Sequence, residues 1–251
     1  MDPIYIRIRE HARRIAASLP PPAFYRDFPA EAKRSRHCLK NDPVVSRLRR
    51  FVFENADNAI GHGFPHAEKV TLDAGTILLV ECGKIGKAVE TPGALLTLVQ
   101  CAGLLHDVRR LEKNHAARGA EKAREILKDY ALPEESTAAI CLAIRNHEAF
   151  QPVVACPDRQ GALISDCLYD ADKFRWGPDN FTHTVWDMVS FANIPLPGFL
   201  KKYPGAMQRL AGINKTFRTD TGKKYGPEFI NQGLEIGRQL LEFLEEDAKN
   251  A

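Results

Sequence analysis

The chain has no apolar run near the roughly 20 residues that a bilayer-spanning helix needs. Its longest apolar stretches, residues 76–80 and 94–105, are short or interrupted. Its 6 cysteines, Cys38, Cys82, Cys101, Cys141, Cys156 and Cys167, include no C-x-x-C pair, and four sit in helical apolar patterns. That excludes a disulfide frame and a zinc knuckle, and leaves reduced, mostly buried thiols. Strand signals are poor: there is no convincing period-two run and no Asn-Gly or Asp-Gly hairpin. Internal repeats and low-complexity segments are missing as well. The charge excess is small, Lys+Arg 35 against Asp+Glu 32 for a net +3, so nothing demands a nucleic-acid partner. The first residues carry charge throughout and lack a signal-peptide apolar core, so a cytoplasmic protein without a membrane anchor is expected.

What remains is ordinary globular composition, 44% hydrophobic and 27% charged over 251 residues, enough for one large domain. Helical spacing runs almost throughout. Helices are expected over residues 4–19, 30–39, 43–56, 65–80, 92–106, 114–130, 133–147, 159–174 and 227–246. Prolines open several of them (Pro43, Pro65, Pro92, Pro133, Pro227), and Asn114 stands where it would cap another. Breaks fall at Pro20-Pro21-Pro22, Gly61-His62-Gly63, 151–157 and Gly177-Pro178. The expectation is a single all-α domain over 1–251. It comprises a helical extension at 1–57, a core at 58–176 and a C-terminal helical segment, 177–251, covering a cleft.

The informative residues are polar ones on apolar stripes. Leu95, Val99 and Ala102 lead at helical spacing to His106. Ile140 and Ile144 lead to His147, and Ile164 and Leu168 to Asp172. His66 shares a face with Val70, Ala74 and Ile77, and His115 with Gly119, Ala123 and Ile126. Each of these helices thus places one His or Asp on its core-facing side, near an end. Unpaired buried carboxylates and charged imidazoles are costly. Either each has its own private partner, or all share a divalent cation that takes neutral imidazole nitrogens and ionised carboxylates together.

This ordered set resembles the HD superfamily of metal-dependent phosphohydrolases, whose signature is H…HD…D on an all-helical core. His66 matches the first histidine, His106-Asp107 the pair, preceded by Ala102-Gly103-Leu104-Leu105, and Asp172 the last aspartate. His115 and His147 fall where many members carry ligands of a second metal. The Gly61-His62 opening, with His66 four residues on, and the phrase Thr219-Asp220-Thr221-Gly222-Lys223 look like the small nucleotide pyrophosphohydrolase subgroup. The resemblance covers about residues 58–176. Where many members have lysine three residues after the HD aspartate, this chain has Arg110, a planar fork in place of a point charge.

The resemblance implies an HD-domain helical bundle with His66, His106, Asp107 and Asp172 around one ion, Asp107 bridging, and His115 and His147 completing a second site. Mn²⁺, Fe²⁺, Co²⁺, Ni²⁺ or Zn²⁺ suits such a donor set better than Mg²⁺ alone, although Mg²⁺ is possible. The implied activity is hydrolysis of a phosphoester or phosphoanhydride of a small phosphorylated metabolite, a nucleotide above all, by a metal-held hydroxide. Arg109, Arg110, Lys173 and Arg175 are candidates to hold phosphate, His62 a further substrate contact, and Glu148 a general base. A di-iron HD-type oxygenase and a non-catalytic nucleotide sensor are the alternatives.

Overall fold

In the computed structural model, which describes residues 3–55, 61–85 and 92–249, the chain is all-α, with no strand among the described residues. The helices are α1 (Pro3–Ser18), α2 (Ala23–Asp27), α3 (Pro29–Asn41), α4 (Pro43–Asn55), α5 (Phe64–Ile85) and α6 (Pro92–Leu105). There follow α7 (His115–Leu127), α8 (Glu134–Arg145), α9 (Arg159–Phe174), α10 (Val185–Phe191), α11 (Leu196–Gly212) and α12 (Asp220–Lys249). A five-residue π-helical turn, Asn180–Thr184, runs straight into α10. No helix among the described residues is long and apolar enough to cross a membrane.

The architecture turns on α5. It buries residues on every side, including Val70, Ala74, Ile77, Leu78 and Leu79. A helix apolar all round must be surrounded, and α3, α6 and α9 surround this one. Beside it, α6, α8 and α9 pack on one another, and α7 lies against α8. The N-terminal helices belong to the same core. α1 buries Tyr5, Ile8, Ala12 and Ile15, one stripe at helical spacing, against α12 and the π-turn. α3 packs on α5, and α4 on α6. The described residues 3–55 thus share their core with the helices expected to hold the site.

One helix start differs from expectation for a visible reason. The last helix begins at Asp220, not Pro227, and carries Pro227 inside it. Its start is tied down from two sides. Asp170 of α9 accepts from the Arg218 and Thr219 amides and the Thr219 hydroxyl, at 2.9, 2.8 and 2.7 Å. Glu81 of α5 accepts from the Thr221 amide at 3.0 Å and from its hydroxyl. These carboxylates satisfy the amides that a helix start leaves free and fix its first turn ahead of the proline. Asn114 precedes α7 as expected, but its side chain caps nothing. Its backbone sits in the left-handed region at φ 57, which asparagine tolerates.

Candidate metal centre

Four buried polar residues, and the half-buried His115, sit at helix ends that converge. His66 lies in the first turn of α5, behind Pro65. His106 follows the last residue of α6, and His147 lies two residues past α8. Asp172 is in the last turn of α9, and His115 opens α7. The helical stripes lead inward to this point as the spacing requires.

His106 and His147 are set the same way. The Nδ1 of His106 donates to the Gly103 carbonyl at 2.7 Å, and that of His147 to the Ile144 carbonyl at 2.6 Å. A carbonyl only accepts, so each Nδ1 carries a proton, and Nε2 is the ring atom turned toward the carboxylates. Oxygens of a helix's last turn have no partner within the helix, so they are available for this.

The lone pairs and carboxylates form two clusters that share Asp107. In the first, His66 Nε2 lies 3.2 Å from His106 Nε2 and 3.4 Å from Asp172 Oδ1. His106 Nε2 lies 3.4 Å from Asp107 Oδ2. In the second, His147 Nε2 and His115 Nε2 lie 3.5 and 3.8 Å from Asp107 Oδ1. Donors bound to one cation at about 2.0–2.2 Å stand roughly 3.0–3.5 Å apart, so the first cluster and the His147–Asp107 pair suit a shared ion, with His115 a few tenths of an ångström farther out. His62, expected as a substrate contact, reaches Asp107 Oδ2 through Nδ1 at 2.8 Å and groups with His66 around that oxygen. These buried groups could hold a metal ion.

Protonation fits that role. Burial holds His66 down to about 4, against the pull of Asp172. Burial, then the Arg110 guanidinium, holds His115 down to about 4. Burial disfavours charge on His106 too, but the Asp107 and Asp172 carboxylates outweigh it and raise that ring. Burial would also raise both aspartates, yet His106 keeps Asp107, and Lys173 keeps Asp172, well below the usual carboxylate range. Ionised carboxylates beside neutral His66 and His115 are the state a cation binds. Asp107 Oδ1 is the telling atom: it is buried and has no hydrogen-bond partner. An orphaned carboxylate oxygen ringed by imidazoles is costly unless a cation completes it.

The clusters face a cavity of about 670 Å³. Arg110 and Lys173 line it. Arg110 donates to His115 Nε2 at 2.8 Å and stands 3.9 Å from Asp107 Oδ1. Lys173 donates to Asp172 Oδ2 at 2.5 Å while buried. Glu148, half-buried, lies 3.8 Å from His115 Nδ1 and also lines the cavity.

Two expected phosphate holders are otherwise engaged. Arg109 is exposed, pairs with Glu112 at 3.3 Å, and borders a smaller neighbouring cavity. Arg175 touches the cleft wall but is locked into a buried network with Asp73, Tyr25 (2.7 Å) and Asp179 (2.5 Å). Asp170, two residues before Asp172, spends its oxygens on the start of α12, as described, and not on the clusters. The C-terminal segment contributes Asn180, Thr184, Met188, Phe191 and Arg209 to the cavity. No metal-ligand spacing singles these residues out in the sequence. Trp186 and Phe181 are core, whereas Trp176 lines the cleft.

Gly103 sets the distance between the helices that carry His66 and His106. A β-carbon there would stand 2.8 Å from the Thr71 Cα and 2.7 Å from its hydroxyl. Gly103→Ala is therefore expected to push α5 from α6 and to cost about 1–3 kcal/mol. Metal affinity is expected to fall along with the melting temperature. Calorimetric melting and metal titration of the variant check both, and an unchanged affinity would dissociate the helix contact from the ligand spacing.

No protein-family model, curated protein or solved structure matches the chain.

Proposed function

We propose that the protein is a metal-dependent phosphohydrolase acting on a small phosphorylated metabolite. The observation that carries this reading is the pair of imidazole–carboxylate clusters joined through Asp107, opening on a cleft whose other charged lining includes Arg110 and Lys173. His66, His106, Asp107 and Asp172 would hold one ion, and Asp107, His115 and His147 a second. Mn²⁺, Fe²⁺, Co²⁺, Ni²⁺ or Zn²⁺ suits these donors. A divalent cation so held supplies Lewis acidity and lowers the pKa of water.

The chain's own groups do the rest. Arg110 can turn its fork from His115 to a phosphoryl oxygen, in bidentate fashion. Lys173, held on Asp172, adds positive charge where phosphoryl oxygens gain negative charge. The carbonyl-locked His106 and His147 keep their lone pairs fixed, so little reorganisation attends the reaction. Glu148, beside His115 and in the cleft, is placed to accept a proton from an attacking water. In the balanced reaction, water oxygen bonds to phosphorus, the phosphorus–oxygen ester bond breaks, and the leaving alcohol takes a proton.

The test is metal analysis of the purified chain, then phosphate release from a panel of nucleotides and phosphomonoesters with each candidate ion. Stoichiometric metal is expected, together with turnover that EDTA abolishes and Mn²⁺ restores. Turnover that persists after complete metal removal would overturn the reading.

A further inference from the structure

The cleft has two chemistries. Around the clusters it is imidazole and cation. Much of the rest is apolar: Leu111, Trp176, Val185, Met188, Phe191 and Ala192. Three of these are large apolar side chains left in solvent, Met188 at 42%, Leu111 at 55% and Phe191 at 56% exposure. Apolar exposure gathered at the mouth of a concave site marks a surface that something apolar covers.

That wall is rigid. Trp186 of α10 is fully buried, and its indole N–H donates to the Phe181 carbonyl. From α1, Arg9 and Arg13 donate to the Thr182 carbonyl at 3.2 and 3.3 Å, and Tyr5 donates to the Ile194 carbonyl at 2.8 Å. Both ends of the π-turn and α10 unit are thus pinned from α1. The face bearing Val185, Met188 and Phe191 is preformed, so seating a ligand on it costs little ordering.

The wall is also poor in hydrogen-bonding groups. Away from the imidazoles, Arg110, Lys173 and Glu148 around the clusters, its hydrogen-bonding side chains are Asn180, Thr184, the Trp176 indole and Arg209. A sugar with several hydroxyls, or a base with its polar edge, would leave groups unpaired there. Each such group costs about 1–3 kcal/mol.

We propose that the substrate is a phosphomonoester with an apolar leaving group, an alkyl or aryl alcohol. Its phosphate lies on the clusters and its carbon body on Val185, Met188 and Phe191. This rests on the phosphohydrolase reading. Hydrolysis then releases inorganic phosphate and an apolar alcohol that has little affinity for water and leaves along the exposed side chains.

The experiment uses the full chain loaded with Mn²⁺ and straight-chain alkyl phosphates from ethyl to hexyl, whose phosphorus–oxygen bonds are of equal reactivity. Burial of each methylene on an apolar wall is expected to raise kcat/KM by roughly two- to fourfold. Hexyl phosphate is expected to exceed adenosine 5′-monophosphate and ribose 5-phosphate by at least about tenfold. Met188→Ser with Phe191→Ser is expected to flatten the gradient while leaving the melting temperature within a few degrees, because both side chains are exposed. A flat series with measurable turnover, or preference for the nucleotide, overturns the proposal and leaves the hydrolase standing. If no ester turns over, the hydrolase reading falls, and the wall is decided by calorimetry with non-hydrolysable alkylphosphonates. Tightening with chain length supports the apolar site, and equal affinities overturn it.

Discussion

On the proposed phosphohydrolase reading, Asp107→Ala protein is expected to be purified without metal and to release phosphate roughly a thousandfold or more slowly than the unaltered chain, the scale of stabilisation a catalytic cation provides. The two oxygens of this side chain serve different clusters, Oδ2 toward His66 and His106, Oδ1 toward His115 and His147. Removing it takes a ligand from both at once, whereas His115→Ala takes one from the second cluster alone. Metal analysis separates the cases. Asp107→Ala should empty both positions, and His115→Ala should retain the ion held by His66, His106 and Asp172. Full metal content in Asp107→Ala would sink the bridging role. Residual activity there, with metal gone, would point to chemistry carried by Arg110 and Lys173 alone.

The second large effect is on stability. Arg175→Met is expected to cost about 3–5 kcal/mol, the range for stripping one partner from a buried ion pair. Arg175 is 6% exposed and donates to Asp73, Asp179 and the Tyr25 hydroxyl. Asp73 is equally buried on α5, and burial pushes its carboxyl up even against the pull of Arg175. Left alone, Asp73 must stay ionised without its partner or take up a proton, and either way the fold loses. Removing both charges, Arg175→Met with Asp73→Asn, should recover much of the loss, since no orphaned charge remains. Urea unfolding of the three proteins checks this. An Arg175→Met protein of native stability but reduced affinity for phosphate would return this arginine to the phosphate-holding role expected from its sequence position.

The contrast between Arg110 and Arg175 shows where sequence reading stops. Both arginines follow an expected ligand by three residues, and nothing local distinguishes them. Their fates are set by partners far along the chain. Tyr25 and Asp73 claim Arg175, while Arg110, among the described residues, meets His115 and Asp107 and stays in the cleft. By contrast, His66, His106, His147 and Asp172 were legible. Each continues an apolar stripe on its own helix, and a polar residue on a buried stripe must find company. Helix class and most helix bounds were legible for the same local reason. The early start of α12 was not, because it depends on Asp170 and Glu81 from other helices. The apolar wall was least legible. Nothing local marks Met188 and Phe191 as exposed until Trp186, on the same short helix, is seen to take the buried side.

The paired imidazole locks have a genetic consequence. Outer-shell partners of metal-binding histidines are often carboxylates, and losing such a partner weakens the site. Here the peptide oxygens of Gly103 and Ile144 fill that place. No codon change deletes a main-chain atom. Two of the six donor residues therefore keep their tautomer and aim under any single side-chain replacement that spares the helix ends. Random mutagenesis scored for metal loss should strike the donors themselves and the glycine spacer, and leave a silent ring immediately around His106 and His147.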